Sequence, residues 1–139
     1  HLTEELLDRL LASASIEQYL DEGLVSARTL TDYLFDRMEA HDLRRADVVR
    51  ASGLNATVVY DIFSGKSRPG RDHAIMLAFG LKCTLRETQR LLRLAGVSEL
   101  WCKQRRDAII IWCIRNGFDR IATDDELYRM GEATLLPAD

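Results

Sequence analysis

Apolar residues recur at helical spacing along almost the whole chain of 139 residues, and this pattern constrains the fold more than any other feature. It begins with leucines placed three and four positions apart: Leu6, Leu7, Leu10 and Leu11. The chain contains only two prolines and eight glycines, so few residues interrupt a helix. We therefore predict an all-α fold of about eight short helices.

Capping patterns predict where several of these helices begin. A threonine followed three residues later by an acidic residue is typical of a helix N-terminus, and the chain has this pattern at Thr29, Thr84 and Thr123. We expect the last helix to start after Thr123 and to end near Gly131. The tail after Glu132 is predicted to be loose.

Residues 108–114 form an apolar run that fits either a buried strand or a buried helix. The charged run Lys103–Asp107 before it and Asn116-Gly117 after it favour a helix that runs to Arg115. We expect the charged cluster Arg105-Arg106-Asp107 to form a structural ion pair with a neighbouring helix.

Charge is distributed unevenly, although the net charge of −3 argues mildly against nucleic acid. Residues 1–42 have three basic and ten acidic side chains, residues 43–115 have fourteen basic and six acidic, and residues 116–139 have two basic and six acidic. A basic middle between acidic ends indicates a possible nucleic-acid surface. The alternative is that these charges are spread around solvated helix faces, and the sequence leaves both interpretations open.

The window from residue 43 to residue 80 contains a helix-turn-helix pattern. A short helix ends at Gly53, Asn55 is a good N-cap for a second helix, and a loop with Gly65 follows it. Three apolar residues would face inward from the second helix: Val59, Ile62 and Phe63. Its outer side would present Asn55, Ala56, Thr57 and Tyr60.

The stretch DLRRADVVRASGLNATVVYDIFSGKSRPGRDHAIMLAFGL resembles the five-helix lambda-repressor-like domain of Cro/C1-type (XRE) regulators. Gly53 falls at the turn glycine of that family, and Phe63-Ser64-Gly65 falls after its recognition helix. The resemblance covers residues 28–96 and implies a helix-turn-helix domain there. We therefore predict an N-terminal acidic helical arm at 1–27 and a C-terminal helical extension at 97–139 packed on that domain. The extension looks like one found in some bacterial relatives.

The resemblance implies a DNA-binding transcriptional regulator that inserts a recognition helix, at about 55–64, in the major groove. The expected partner is double-stranded DNA, bound by a homodimer. Arg45 stands where the family has a glutamine, and a guanidinium can contact a base or a phosphate. Lys66 and Arg68 fall where the family contacts phosphate. The implied DNA-binding residues are Arg44, Arg45, Asn55, Ala56, Thr57, Tyr60, Lys66 and Arg68.

The same residues also support a second hypothesis. Arg44 and Arg45 replace the usual threonine or serine and glutamine, and Ala56 and Val58 can neither donate nor accept a hydrogen bond. Base discrimination is therefore expected to be modest. The alternative function is a protein-interaction module, adaptor or antitoxin-like, that uses the fold without sequence-specific DNA binding. In a third possibility, the acidic arm covers the basic face and inhibits it.

The sequence lacks the motifs that are typical of metal-binding proteins, enzymes and membrane proteins. Cys83, Cys102 and Cys113 form no C-x-x-C pair, and His41 and His73 have no ligand-spaced partner, so we predict no metal and no cofactor. The sequence has no Gly-rich phosphate loop, paired catalytic carboxylates or serine-based motif, and we predict no enzymatic activity. An acidic start and the lack of an apolar run of roughly 20 residues predict no membrane partner and a cytoplasmic location.

Overall fold

The computed structural model describes residues 2–17 and 29–137, and this part of the chain forms eight α-helices and no β-strand. The all-α prediction is thus confirmed. None of these helices is long and apolar enough to cross a bilayer. The helices are α1 (Leu2–Ala12), α2 (Leu30–Ala40), α3 (Arg45–Ser52), α4 (Ala56–Phe63), α5 (Arg71–Gly80), α6 (Leu85–Leu94), α7 (Arg105–Arg115) and α8 (Arg120–Arg129).

The arm predicted at 1–27 is described only in part. Its first segment is α1, as the leucine spacing predicts, and residues 18–28 lie outside the described part of the chain.

At Gly80, helix α5 approaches α3 more closely than any side chain at that position would allow. A methyl group added to Gly80 would lie 2.8 Å from the carbonyl oxygen of Val48 and 2.8 Å from Cβ of Ser52. Both Val48 and Ser52 are fully buried, so neither has solvent to move into. The lack of a side chain at Gly80 therefore sets the distance between the two helices.

A three-residue turn joins α3 to α4. Gly53 has a φ of 82°, in the left-handed region that favours glycine, and its N–H donates to the carbonyl oxygen of Val49 at the end of α3. Asn55 begins α4 by accepting a hydrogen bond from the N–H of Val58 at 2.9 Å. The residues predicted to face inward are buried: Val59, Ile62 and Phe63.

Two reciprocal ion pairs join the C-terminal extension to the start of α5. Arg71 donates to both carboxylate oxygens of Asp107, at 3.0 and 2.6 Å, and Arg106 donates to both oxygens of Asp72, at 2.9 and 3.1 Å. Adjacent Arg and Asp residues on α5 thus pair with adjacent Arg and Asp residues on α7. The predicted ion pair with a neighbouring helix is confirmed, and so is the helical assignment of residues 108–114.

The tail after Glu132 is ordered against the core up to residue 137, and the prediction that it is loose is wrong. Leu135 is 1% exposed, and its N–H donates to the buried carboxylate of Asp124 at 2.6 Å. The N–H of Leu136 donates to the same carboxylate at 3.2 Å. The hydrogen bonds to the buried carboxylate and the burial of Leu135 outweigh the conformational entropy that the chain end loses when it is ordered.

The predicted start of the last helix is also wrong. Asp119 is the N-cap of α8, because its side chain accepts the N–H of Ala122 at 2.8 Å. Thr123 lies inside the helix, where it is buried and donates its hydroxyl to the carbonyl oxygen of Asp119 at 2.8 Å. The aspartate begins the helix one turn earlier than the threonine pattern predicts.

We expect Gly80→Ala to lower the free energy of unfolding by about 1–3 kcal/mol, because α3 and α5 must separate to admit the methyl group. Urea unfolding followed by circular dichroism measures the change. Gly70→Ala is the control for a methyl group in open space, since nothing lies within 4 Å of it. It should cost only about 0.5 kcal/mol, because Gly70 is the N-cap of α5, where alanine is disfavoured. Equal losses in the two variants would show that the close approach at Gly80 contributes no stability.

The Arg71–Asp107 pair should also make stability depend on pH. Burial by itself raises the pKa of the Asp107 carboxyl, but hydrogen bonds from Arg71 and from the N–H of Trp101 more than offset this and hold the pKa below its ordinary value of 3.8. The unfolded chain then binds the proton more readily, so this stabilisation is complete above that value and is lost as the pH falls through the lowered pKa. The free energy of unfolding, measured by urea unfolding at a series of pH values, should fall less steeply below pH ~4 in Asp107→Asn than in the wild type. If the stability of the two proteins depended on pH in the same way, the lowered pKa of Asp107 would not contribute to the stability of the wild type.

Candidate nucleic-acid interface

The N-terminus of α4 is open to solvent. Asn55, Ala56 and Thr57 are all exposed, and they follow directly on the turn at Gly53. The first backbone N–H groups of a helix have no carbonyl partner within it, and its N-terminus has a partial positive charge. This end of α4 is therefore suited to a negatively charged group such as a phosphate.

Asn55 has a structural task as well as a predicted binding role. Its side-chain oxygen is the helix cap, bonded to the N–H of Val58. The side-chain amide nitrogen can still donate, whereas a bidentate contact to an adenine needs the oxygen as well. The oxygen keeps one lone pair and the nitrogen keeps its two N–H groups, so Asn55 can contact a ligand without breaking the cap.

Arg45 and Tyr60 meet across the two helices. The guanidinium carbon of Arg45 lies 5.2 Å from the centroid of the Tyr60 ring, which is within the range of a cation–π contact. Tyr60 is 44% exposed and lies on the outer side of α4. The contact places the Arg45 cation beside the outer surface of α4.

Arg44 lies in a different cluster, around Asp47. Its side chain is 90% exposed, with Nε 3.9 Å from the Asp47 carboxylate, while Arg50 donates to the same carboxylate at 2.8 Å. The pKa of Asp47 is lowered, first by the hydrogen bond from the backbone N–H of Arg44 and then by the charges of Arg44, Arg50 and Lys82. Arg44 and Arg50 thus lie beside one carboxylate, the charge of Lys82 also acts on it, and an excess of positive charge remains.

Sequence reasoning missed two members of this cluster, Arg50 and Lys82. Arg50 could have been found, because it lies three residues after Asp47 on a predicted helix, a spacing at which side chains meet. Lys82 could not, since it lies in the corner between α5 and α6, and its charge acts on Asp47 only because α3 packs on α5.

The loop after α4 contains the other two predicted residues. Lys66 is exposed, and its backbone N–H donates to the carbonyl oxygen of Asp61 at 2.9 Å. The guanidinium of Arg68 donates to the carbonyl oxygen of Leu94, at the end of α6, at 3.3 Å. Arg68 therefore has a partner within the protein, although a guanidinium has five N–H donors and keeps others for a phosphate.

The structure thus divides the predicted residues into groups. Asn55, Ala56, Thr57, Tyr60 and Arg45 form one contiguous surface, which we call the α4 surface. Arg44 lies beside it with Asp47, and Lys66 and Arg68 follow the opposite end of α4, about 12 Å away along an eight-residue helix.

Two titratable groups outside these surfaces, Glu87 and Cys83, have structural roles. Glu87 accepts a hydrogen bond from the N–H of Thr84, pairs with Arg37 and lies 3.3 Å from Nε2 of His41. Burial raises the pKa of the Cys83 thiol to about 12, so this cysteine stays protonated. Within residues 2–17 and 29–137, no group of three or more His, Cys, Asp or Glu side chains could hold a metal ion.

No family model, no curated protein and no solved structure matches this chain.

Substitutions at Asn55 can separate its role as the N-cap of α4 from its role as a hydrogen-bond donor to a ligand. We expect Asn55→Ala to lower the free energy of unfolding by about 1 kcal/mol, and Asn55→Asp to leave it nearly unchanged, because aspartate caps a helix equally well. Thermal unfolding of the two variants beside the wild type measures this. If Asn55→Ala were as stable as the wild type, the 2.9 Å bond to Val58 would contribute nothing to the helix.

Proposed function

We propose that the chain is a DNA-binding transcriptional regulator with a lambda-repressor-like helix-turn-helix domain. It inserts residues 55–64, which comprise α4 and its two capping residues, in the major groove of double-stranded DNA. The observation that supports this proposal most is the α4 surface, where Arg45 stacks on Tyr60 beside an exposed helix N-terminus.

The chemistry of the α4 surface fits a DNA groove. The amide of Asn55 donates one hydrogen bond, the hydroxyl of Thr57 donates or accepts one, and the methyl group of Ala56 contacts a thymine methyl group. Arg45 binds a phosphate or a guanine from the neighbouring helix. With one small apolar residue among three groove positions, the preference for one sequence over others is modest.

Positive charge around the α4 surface supplies affinity that does not depend on sequence. Arg44, Arg50 and Lys82 exceed the single charge of Asp47, and Lys66 extends into solvent after α4. These cations bind backbone phosphates and hold the protein in register. A homodimer then places two copies of α4 in successive major grooves, about 34 Å apart.

A second candidate function is a protein-interaction module, adaptor or antitoxin-like, in which the same fold binds no specific DNA sequence. The observation that favours it is the exposed apolar surface of the C-terminal extension, where Trp112, Ile121 and Tyr128 are each more than half exposed. Exposed apolar patches of this kind are typical of protein interfaces.

The salt dependence of DNA binding tests the proposal. We expect Arg45→Ala to weaken binding to a random duplex and to reduce the slope of log affinity against log salt by about 0.9, because one phosphate contact is lost. Lys66→Ala/Arg68→Ala should reduce it by up to twice that amount. Fluorescence anisotropy with a labelled duplex over a series of salt concentrations measures both effects.

Arg115→Ala is the matched control, because it removes one exposed arginine at the end of α7, outside the α4 surface. It should leave the slope unchanged. If wild-type protein binds no duplex at low salt, even after removal of residues 1–27, the interaction-module function replaces the regulator. If all variants bind with the wild-type affinity and slope, DNA contacts a different surface.

A further inference from the structure

The C-terminal extension has an apolar groove that no part of the described chain fills. The groove lies between α7 and α8 and has a volume of about 430 Å³. Ile109, Trp112 and Met130 line it, with Arg105, Glu126 and Arg129 at its rim. Trp112 is 54% exposed even though its ring packs edge-on against Phe118.

Helix α1 presents a second uncovered apolar surface on the same chain. Leu7 and Leu11 are 53% and 74% exposed, and Leu10 is exposed as well. These leucines lie at positions i, i+3 and i+4, the spacing with which an amphipathic helix inserts side chains into a groove. On its own chain, α1 buries none of the three.

We propose that α1 of a second copy of this chain docks in the groove between α7 and α8, and that the exchange is reciprocal. Leu7, Leu10 and Leu11 insert between Ile109, Trp112 and Met130. Each copy exposes both the leucines of α1 and the groove between α7 and α8. When each copy inserts its α1 into the groove of the other, all four of these surfaces become buried. Such an interface is two-fold symmetric and closes at a dimer.

The charges at the edges of the two surfaces agree with this docking. Helix α1 has three acidic side chains and one basic side chain, Arg9, so its net charge is −2. The rim of the groove has Arg105, Arg129 and Glu126, a net charge of +1. Arg105 pairs with Glu132 and Arg129 with Glu126 within the chain. Each guanidinium has five N–H donors, so both arginines can also bind an incoming carboxylate.

The chain is long enough to make the exchange. Residues 13–29 connect α1 to α2, and with residues 16–17 helical this connection spans at most about 50–55 Å. That length exceeds the diameter of a small domain, about 30 Å. Helix α1 can therefore reach a neighbouring copy while its own domain stays folded. The proposal concerns the extension and the arm and does not depend on DNA binding.

Sedimentation equilibrium over a range of protein concentrations tests the proposal with the full chain. We expect the wild type to form dimers, and Leu7→Glu/Leu11→Glu to weaken dimerisation by at least about tenfold, because two buried leucines are lost. Ala108→Glu should weaken it similarly, since the longer side chain fills the groove and repels the acidic helix. Ile16→Glu is the control for added charge, because it adds one carboxylate, as Ala108→Glu does, at an exposed apolar position outside α1.

A mixture of the two defective variants identifies the partner surfaces. The Leu7→Glu/Leu11→Glu chain keeps its groove, and the Ala108→Glu chain keeps its α1, so an equimolar mixture should form a heterodimer through one intact contact. Neither variant alone should do so at the same concentration. Circular dichroism confirms that each variant is folded, and Trp112→Glu serves as the groove variant if Ala108→Glu is not.

Three results would overturn the proposal. A monomeric wild type at all concentrations means that no second copy docks. Dimers unaffected by either variant place the interface elsewhere on the molecule. If both variants lose the homodimer and their mixture forms no heterodimer, α1 and the groove do not contact each other across the interface.

Discussion

The close contact between α3 and α5 at Gly80 is the constraint on which the rest of the structure depends. With no side chain at Gly80, the backbone of α3 approaches α5 until the carbonyl oxygen of Val48 lies only 2.8 Å from the position that a methyl group would take. This contact fixes α3, the three-residue turn fixes α4 relative to α3, and α4 then presents its N-terminus to solvent. Lys82 also reaches the cluster around Asp47 through this packing.

The ion pairs at the start of α5 extend the same framework into the C-terminal half. Asp107 is nearly buried and satisfied by Arg71 and by the N–H of Trp101, so the charge that burial would penalise is fully partnered. Arg106 repeats the arrangement with Asp72 and also donates to the carbonyl oxygens of Ala133 and Thr134. The extension is therefore part of the same packed unit. Its outer surface, however, remains apolar and uncovered, in contrast to its charged inner contacts.

The α4 surface and the groove between α7 and α8 differ in the kind of partner they suit. The first is polar and positively charged, with a helix N-terminus at its centre, and favours an anionic polymer. The second is apolar with charges only at the rim, and favours another protein surface. A regulator that binds DNA as a dimer needs both kinds of surface, at different places on one molecule.

The sequence by itself determined that the chain is helical and where most of the helices begin, because capping and apolar spacing are local properties. The cap at Thr84, the turn at Gly53 and the inward side of α4 follow from residues a few positions apart. Only the tertiary structure decided contacts between residues distant in the chain. The tail is held because Asp124 accepts the N–H groups of Leu135 and Leu136, and the site gains Lys82 because two helices meet at Gly80. Those contacts depend on which helix faces pack together, and no local pattern specifies that.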